Sequence, residues 1–260
     1  MEIEIYQVDA FASHTFGGNP AAVCILDQAL DKEIMQSIAM ENNVSETAYV
    51  WPIGENNFHL KWFTPELEIE LCGHATLASA HILWETGRVS SGKTISFETL
   101  SGTLKASQKD NWITLDFPVV RLTKDVIPSE LEAIFPTAKN ITATASHKYI
   151  VELEDEKAVR NYNPDFELLK NYNTIITAQG DDQYDFVSRF FAIPVGVPED
   201  PVTGSAHCVL APYWESKLDK NIFVAYQASK RGGELQIKIS DGRVFLSGKG
   251  ITVIKGTFYI

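Results

Sequence analysis

The chain has 260 residues, 22 basic against 34 acidic side chains, a formal charge of −12, and 45% hydrophobic residues. That is enough apolar material for one large domain or two of ordinary size, each with a real core. The acidic balance argues against a broad nucleic-acid or anionic-membrane surface, while leaving room for a small anion held by clustered backbone N–H groups.

The opening residues, EIEIYQVDAF, alternate apolar and polar and predict a strand with one buried face. They offer neither the basic segment nor the apolar stretch of a signal peptide. Gly17-Gly18-Asn19-Pro20 is turn chemistry. DKEIMQSIAMENN carries apolar residues at helical spacing behind Asp31, a candidate cap. Glu46, in NNVSETAYV, enters a strand where a glutamate is mildly disfavoured, and by position alone reads as an exposed strand-start acid. HLKWF predicts the next strand. Gly73 and His74 then stand where a strand gives way to the helix HATLASAHILWETG, stopped by Gly87.

TISFETL and WITLDF return to strand periodicity, and PSELEAIF and FELLKNY read as short helices around the strands YIVELE and TIITAQ. In VPEDPVTGSAHCVL the carboxylates Glu199 and Asp200 lead through Pro201 into a helix whose start, Thr203-Gly204-Ser205-Ala206, is all small side chains. Pro212 should sit early in that helix or kink it. LQIKIS and RVFLSG complete the strands. Strands do not alternate regularly with helices, so the class is α+β and not a doubly wound parallel sheet.

No apolar run is long enough to span a bilayer. Cys24, Cys72 and Cys208 are few and far apart, which suits reduced thiols and a cytoplasmic location. SAHIL at Ser79–Leu83 resembles SAHCVL at Ser205–Leu210, about half a chain away. The shared strand, turn and small-residue helix around each suggests two similar halves. The expected division is 1–118 and 119–260, with the last strand able to return to the first half.

A helix N-terminus presents unpaired N–H groups and partial positive charge, so the helix starts at Gly73–His74 and Gly204–Ala206 suit a carboxylate. The small residues leave room for it. Cys72, His74, His81, His207 and Cys208 show no standard metal-ligand spacing, and neither GGNP nor TGSA is a nucleotide loop, so no metal and no organic cofactor are expected.

GGNPAAV, SETAYV, WFTP, LCGHATLASAH, SRFFA, EDPVTGSAHCVL and RGGEL, spread in order from residue 16 to residue 235, resemble the phenazine-biosynthesis isomerase (PhzF-like) family. The resemblance implies the diaminopimelate-epimerase-like fold. That fold has two similar halves, each a curved, mostly antiparallel sheet or barrel around a central helix, with the active site in the cleft between. It implies a cofactor-independent isomerase, often a homodimer, acting on a small carboxylate-bearing substrate. By position Glu46 matches the family's proton-carrying glutamate, His74 its active-site histidine and Asp200 the aspartate of its EDP motif. Asn19, Gly73, Ala75, Gly204, Ser205 and Ala206 fall where substrate is held.

One carboxylate can take and return a proton if burial or a neighbouring acid raises its pKa toward neutrality, so a raised Glu46 is expected. Epimerase relatives use two thiols. Here Cys72 fits one position, but Asp200 stands at the other. The alternative is a non-catalytic binding protein on the same fold.

Overall fold

The computed structural model describes residues 1–181 and 183–260. The chain divides into two compact units, Met1–Asp116 with Ser247–Ile260, and Phe117–Leu246. The first contains β1 (Glu2–Ala10), β2 (Asn19–Ile25), α1 (Lys32–Asn42), β3 (Glu46–Gly54), β4 (Asn57–Phe63), β5 (Glu68–Ile69), α2 (Gly73–Glu85), β6 (Ile95–Thr99), β7 (Gly102–Lys109) and β8 (Trp112–Pro118).

Strand β1 runs antiparallel to β2, and β2 parallel to β3. Then β4 lies antiparallel to β3 and β5 but parallel to β6, and β7 is antiparallel to both β6 and β8. The period-2 alternation sends Cys24, Tyr49, Trp51 and Phe63 to one face, where they meet Met35, Ile38 and Ala39 of α1. The other face packs on α2, which is buried at nearly every position. A helix apolar all round must be covered on all sides, and α2 is the central helix of this unit. Asp31 stands at the N-cap of α1 as expected but makes no side-chain cap bond, and the helix stops on Asn43 in the left-handed conformation.

The second unit holds α3 (Ser129–Ile134), β9 (Asn140–Ala143), β10 (Lys148–Glu152), α4 (Glu156–Asn161), α5 (Phe166–Leu169), β11 (Asn173–Gln179), β12 (Phe186–Ala192), β13 (Val197–Asp200), α6 (Gly204–Leu218), β14 (Ile222–Gln227), β15 (Gly233–Ser240) and β16 (Arg243–Gly248). Its outer core gathers Val151, Leu153, Ile176, Ala178, Val187 and Phe191 against Leu131, Val159 and Leu169 of the short helices. Last, β17 (Gly250–Tyr259) returns to the first unit and pairs antiparallel with β1, from Ala10↔Gly250 to Glu2↔Tyr259.

The two units repeat one topology. β9, β10, β11, β12, β13, β14 and β15 pair with the same senses as β1 to β7, including parallel steps at β10–β11 and β12–β14. The fold is therefore α+β with two similar halves, each a curved, unclosed, mostly antiparallel sheet against a helix.

The helices α2 and α6 open at Gly73 and Gly204. The matching Ser-Ala-His triplets are not equivalent: Ser79–His81 lies deep in α2, whereas Ser205–His207 lies in the first turn of α6. The halves repeat, but that short match is coincidental.

Pro212 lies inside α6 and cannot donate to Cys208 four residues back. The freed Cys208 carbonyl accepts instead from the Val120 N–H at 3.2 Å. Among the described residues no helix is long and apolar enough to cross a membrane.

Candidate active site

Three elements of the first unit bring Asn19, Glu46 and His74 together. Gly18 makes the first turn: its φ is +63°, and a Cβ there would stand 2.2 Å from the Ala10 carbonyl oxygen. Only glycine fits, and the tight turn delivers Asn19 to the start of β2. In the parallel register Ala21 faces Glu46, the first residue of β3. His74 occupies the first turn of α2, behind Cys72 at the N-cap and Gly73, and the residue as a whole is 6% exposed.

The His74 ring is held on three sides. Nε2 lies 2.9 Å from Glu46 Oε2. The distance is that of an ion pair. Nδ1 lies 3.2 Å from the Asn19 carboxamide, and the Ser45 hydroxyl, which donates to the Pro20 carbonyl at 3.0 Å, is 3.4 Å from Nε2. Cys72 Sγ is 3.5 Å from Nδ1 and 3.9 Å from Nε2. Near-equal distances to both nitrogens put the sulfur over the ring rather than along either N–H direction.

Burial alone would push the His74 imidazolium down, but the Glu46 carboxylate beside it holds the ring above the ordinary imidazole value; the Cys72 sulfur would add to this only as a thiolate, the form its own burial disfavours. A doubly protonated ring has two donors and no acceptor, so the Asn19 carboxamide must turn its oxygen toward Nδ1. Burial would likewise raise Glu46, yet the His74 charge outweighs it and the carboxyl lies below its ordinary 4.5. The raised carboxylate expected from the sequence is thus reversed, because its nearest ionisable neighbour is a cation and not an acid. Nor is Glu46 an exposed strand-start acid, since its side chain is 17% exposed. Burial, with the Glu46 charge, pushes the Cys72 thiol up, which keeps its proton on.

Glu46, Cys72 and His74 each present one potential ligand atom within 4.8 Å of the others. The residue types suit a transition metal. A metal there would have to displace the protons of the thiol and the imidazolium as it bound.

Asp200, Gly204, Ser205 and Ala206 lie in the second unit, where β13 passes into α6. The Thr203 hydroxyl donates to the Asp200 carboxylate. Gln227, fully buried at the end of β14, fixes the rest of this turn. Its Oε1 accepts from the Thr203 N–H at 2.8 Å, and its Nε2 donates to the Asp200 carbonyl at 2.7 Å and to Thr203 Oγ1 at 3.2 Å. The Ser229 hydroxyl adds a bond to the Pro201 carbonyl at 2.8 Å. Ala206 is buried and Ser205 exposed. Glu199 belongs elsewhere: it makes a two-pronged pair with Arg189 at 2.7 and 3.0 Å.

Sequence reasoning missed Gln227, which stands in no motif and lies outside every strand read from the pattern. Of the histidines outside the cluster, His14, His59 and His147 are exposed, and His81 and His207 are held by neighbouring elements. His81 meets Thr252 Oγ1 at 3.0 Å, and His207 donates through Nδ1 to the Thr203 carbonyl at 2.8 Å, with burial bringing its pKa down to about 4.

Comparison with known proteins agrees with this fold. The family model described as phenazine biosynthesis-like protein matches residues 8–256. An uncharacterized isomerase of Halalkalibacterium halodurans is 48% identical, covering 98% of both chains. The phenazine biosynthesis-like domain-containing protein 2 of Mus musculus is 41% identical over 99% of both. Among solved structures, a PhzF-family phenazine biosynthesis protein of Enterococcus faecalis superposes with a TM-score of 0.94 at 41% identity over the full length of both chains. A predicted epimerase of Pseudomonas aeruginosa, 19% identical with a TM-score of 0.78, shares the fold.

Fold and relatives together define an isomerase on an epimerase-like scaffold. The chain belongs to the phenazine biosynthesis-like protein family.

Proposed function

We propose that the protein isomerises a small carboxylate-bearing substrate by moving one proton on and off Glu46, without a cofactor. The observation that carries this reading is the Glu46–His74 pair: a buried carboxylate kept ionised, 2.9 Å from a buried imidazolium. An ionised carboxylate is ready to receive a proton from carbon. A carboxyl of lowered pKa is a stronger acid, so it gives the proton back readily at a second carbon. The harder leg is uptake, and there His74 contributes by donating to the oxyanion or enolate that develops. In the second unit Asp200 is held by Thr203 and the Gln227 turn, and in each unit the small residues at the helix start, Gly73 and Ala75 in α2 and Gly204, Ser205 and Ala206 in α6, leave backbone N–H groups open to a carboxylate.

Solvent deuterium provides the test. The protein is incubated in D₂O with a panel of small amino-, hydroxy- and dihydroaromatic carboxylates, and products are followed by mass spectrometry. Carbon-bound deuterium and an isomerised product are expected with the wild type. Glu46→Gln should abolish both while changing Tm little. Near-wild-type exchange in that variant would sink the proposal.

A further inference from the structure

Where the first unit places Glu46, the second places Asn173. β10 and β11 pair in parallel from Lys148↔Asn173, as β2 and β3 pair from Ala21↔Glu46. Registered partners on parallel strands point to the same face of the sheet. For Lys148 and Asn173 that face is the one covered by α6. Farther along the same strands, in the same alternation, Glu152 accepts from the Tyr213 hydroxyl at 2.5 Å and pairs with Lys217, and Thr177 Oγ1 accepts from Trp214 Nε1 at 3.1 Å. The intervening residues Tyr149, Val151 and Ile176 belong to the core on the opposite face. Tyr213, Trp214 and Lys217 come from the later turns of α6, so Lys148 and Asn173 lie toward its start. The Cys208 thiol, in the second turn, is close enough for the Lys148 charge to oppose the rise that burial imposes on it.

Neither side chain is satisfied there. Lys148 is half-buried and burial pushes its ammonium down. Its one hydrogen bond is a 3.5 Å contact to Ser146 Oγ, and no carboxylate among the described residues lies within ion-pair distance of it. Asn173 Oδ1 is buried and meets no donor. A partly desolvated ammonium without a counter-ion and a buried amide oxygen without a donor are both costly, and such groups call for a partner. One ligand relieves both if it carries an anionic oxygen for Lys148 beside an O–H or N–H for Asn173.

We propose that Lys148 and Asn173 form a binding site in the second unit for a small hydroxy- or amino-carboxylate. Where the first half of the repeat carries an acid for proton chemistry, the second carries a cation and a neutral amide for holding an anion. The proposal concerns binding alone and stands whether or not Glu46 is the proton carrier.

The test uses glycolate and acetate as probes, titrated into the full-length ¹⁵N-labelled protein and followed by amide chemical shifts. Saturable shifts are expected around the starts of β10 and β11, with glycolate tighter than acetate because only glycolate has a hydroxyl for Asn173. Lys148→Met should weaken glycolate about tenfold or more, the loss expected of one charge-assisted hydrogen bond, and Lys148→Arg should keep most of it. Asn173→Asp supplies Lys148 with an internal counter-ion and should abolish binding; it decides the matter if Lys148→Met does not fold. Glu46→Gln should leave the titration unchanged. Wild-type glycolate affinity in Lys148→Met or in Asn173→Asp, or loss of binding in Glu46→Gln alone, would overturn the site.

Discussion

Glu46 and His74 each owe their ionisation to the other, and this makes their pH behaviour a signature of the pair. Glu46 is lowered below 4.5, so its contribution to stability is present above that value and lost as pH falls through the lower folded value. His74 is raised well above 6.5, so its contribution is complete below 6.5 and lost as pH rises through the higher folded value. Tm should therefore be flat between about 4.5 and 6.5 and decline on both sides, relative to a Glu46→Gln control in which both slopes flatten. Thermal melts across pH check this; identical profiles for the two proteins would remove the linkage. The residues of this pair were visible as motif positions, in SET and CGHAT. Their charge states were not, because those depend on which ionisable group the fold brings within 3 Å, and neither composition nor spacing carries that distance.

Elements, unlike single charges, were largely legible. Alternation gave β1, β4, β10 and β11, and helical spacing gave α1, α2 and α6. The strand β12 escaped because all seven of its residues are buried, which erases the period-2 signal. β17 escaped for the converse reason, since nearly the whole strand is half-buried or exposed.

The turn from β13 into α6 was read as a ligand platform from its small residues, but what fixes its shape is Gln227, far along the chain. Gln227→Leu keeps the volume and deletes one acceptor and two donor bonds, leaving the buried Thr203 N–H without its acceptor and the Asp200 carbonyl without the Nε2 donor. A loss of about 2 kcal/mol or more is expected, larger than for surface substitutions. Hydrogen exchange should show the Thr203 amide losing protection beyond the global change. Unaltered protection there would show that the turn holds itself.

Across the whole chain, the repeat was inferred from a Ser-Ala-His match and from the strand, turn and small-residue helix around it; the match is coincidental, but the strand senses and the glycine-led helices do repeat. The last strand was expected to be able to return to the first half, but its partner there was not legible: β17 pairs with β1 along nearly its full length, and nothing local to either announces the other. Ending the chain after Gly248 would strip β1 of that neighbour and uncover Ile3 and Tyr6, which are 2% exposed. The shortened protein should lose cooperative unfolding of the first unit while residues 117–246 keep theirs, as followed by two-probe denaturation. A single transition with the full-length midpoint would show β17 to be dispensable.

The return of β17 also sets a timetable. A ribosome delivers residues 117–246 as one uninterrupted run, so the second unit can close on itself as soon as it emerges. The first unit begins synthesis earlier yet waits for its final strand, with the inner edge of β1 exposed throughout. The Glu46–His74 pair therefore belongs to the half of the molecule that starts first and finishes last, and a nascent chain carries an assembled Asp200 turn before the unit holding that pair is complete.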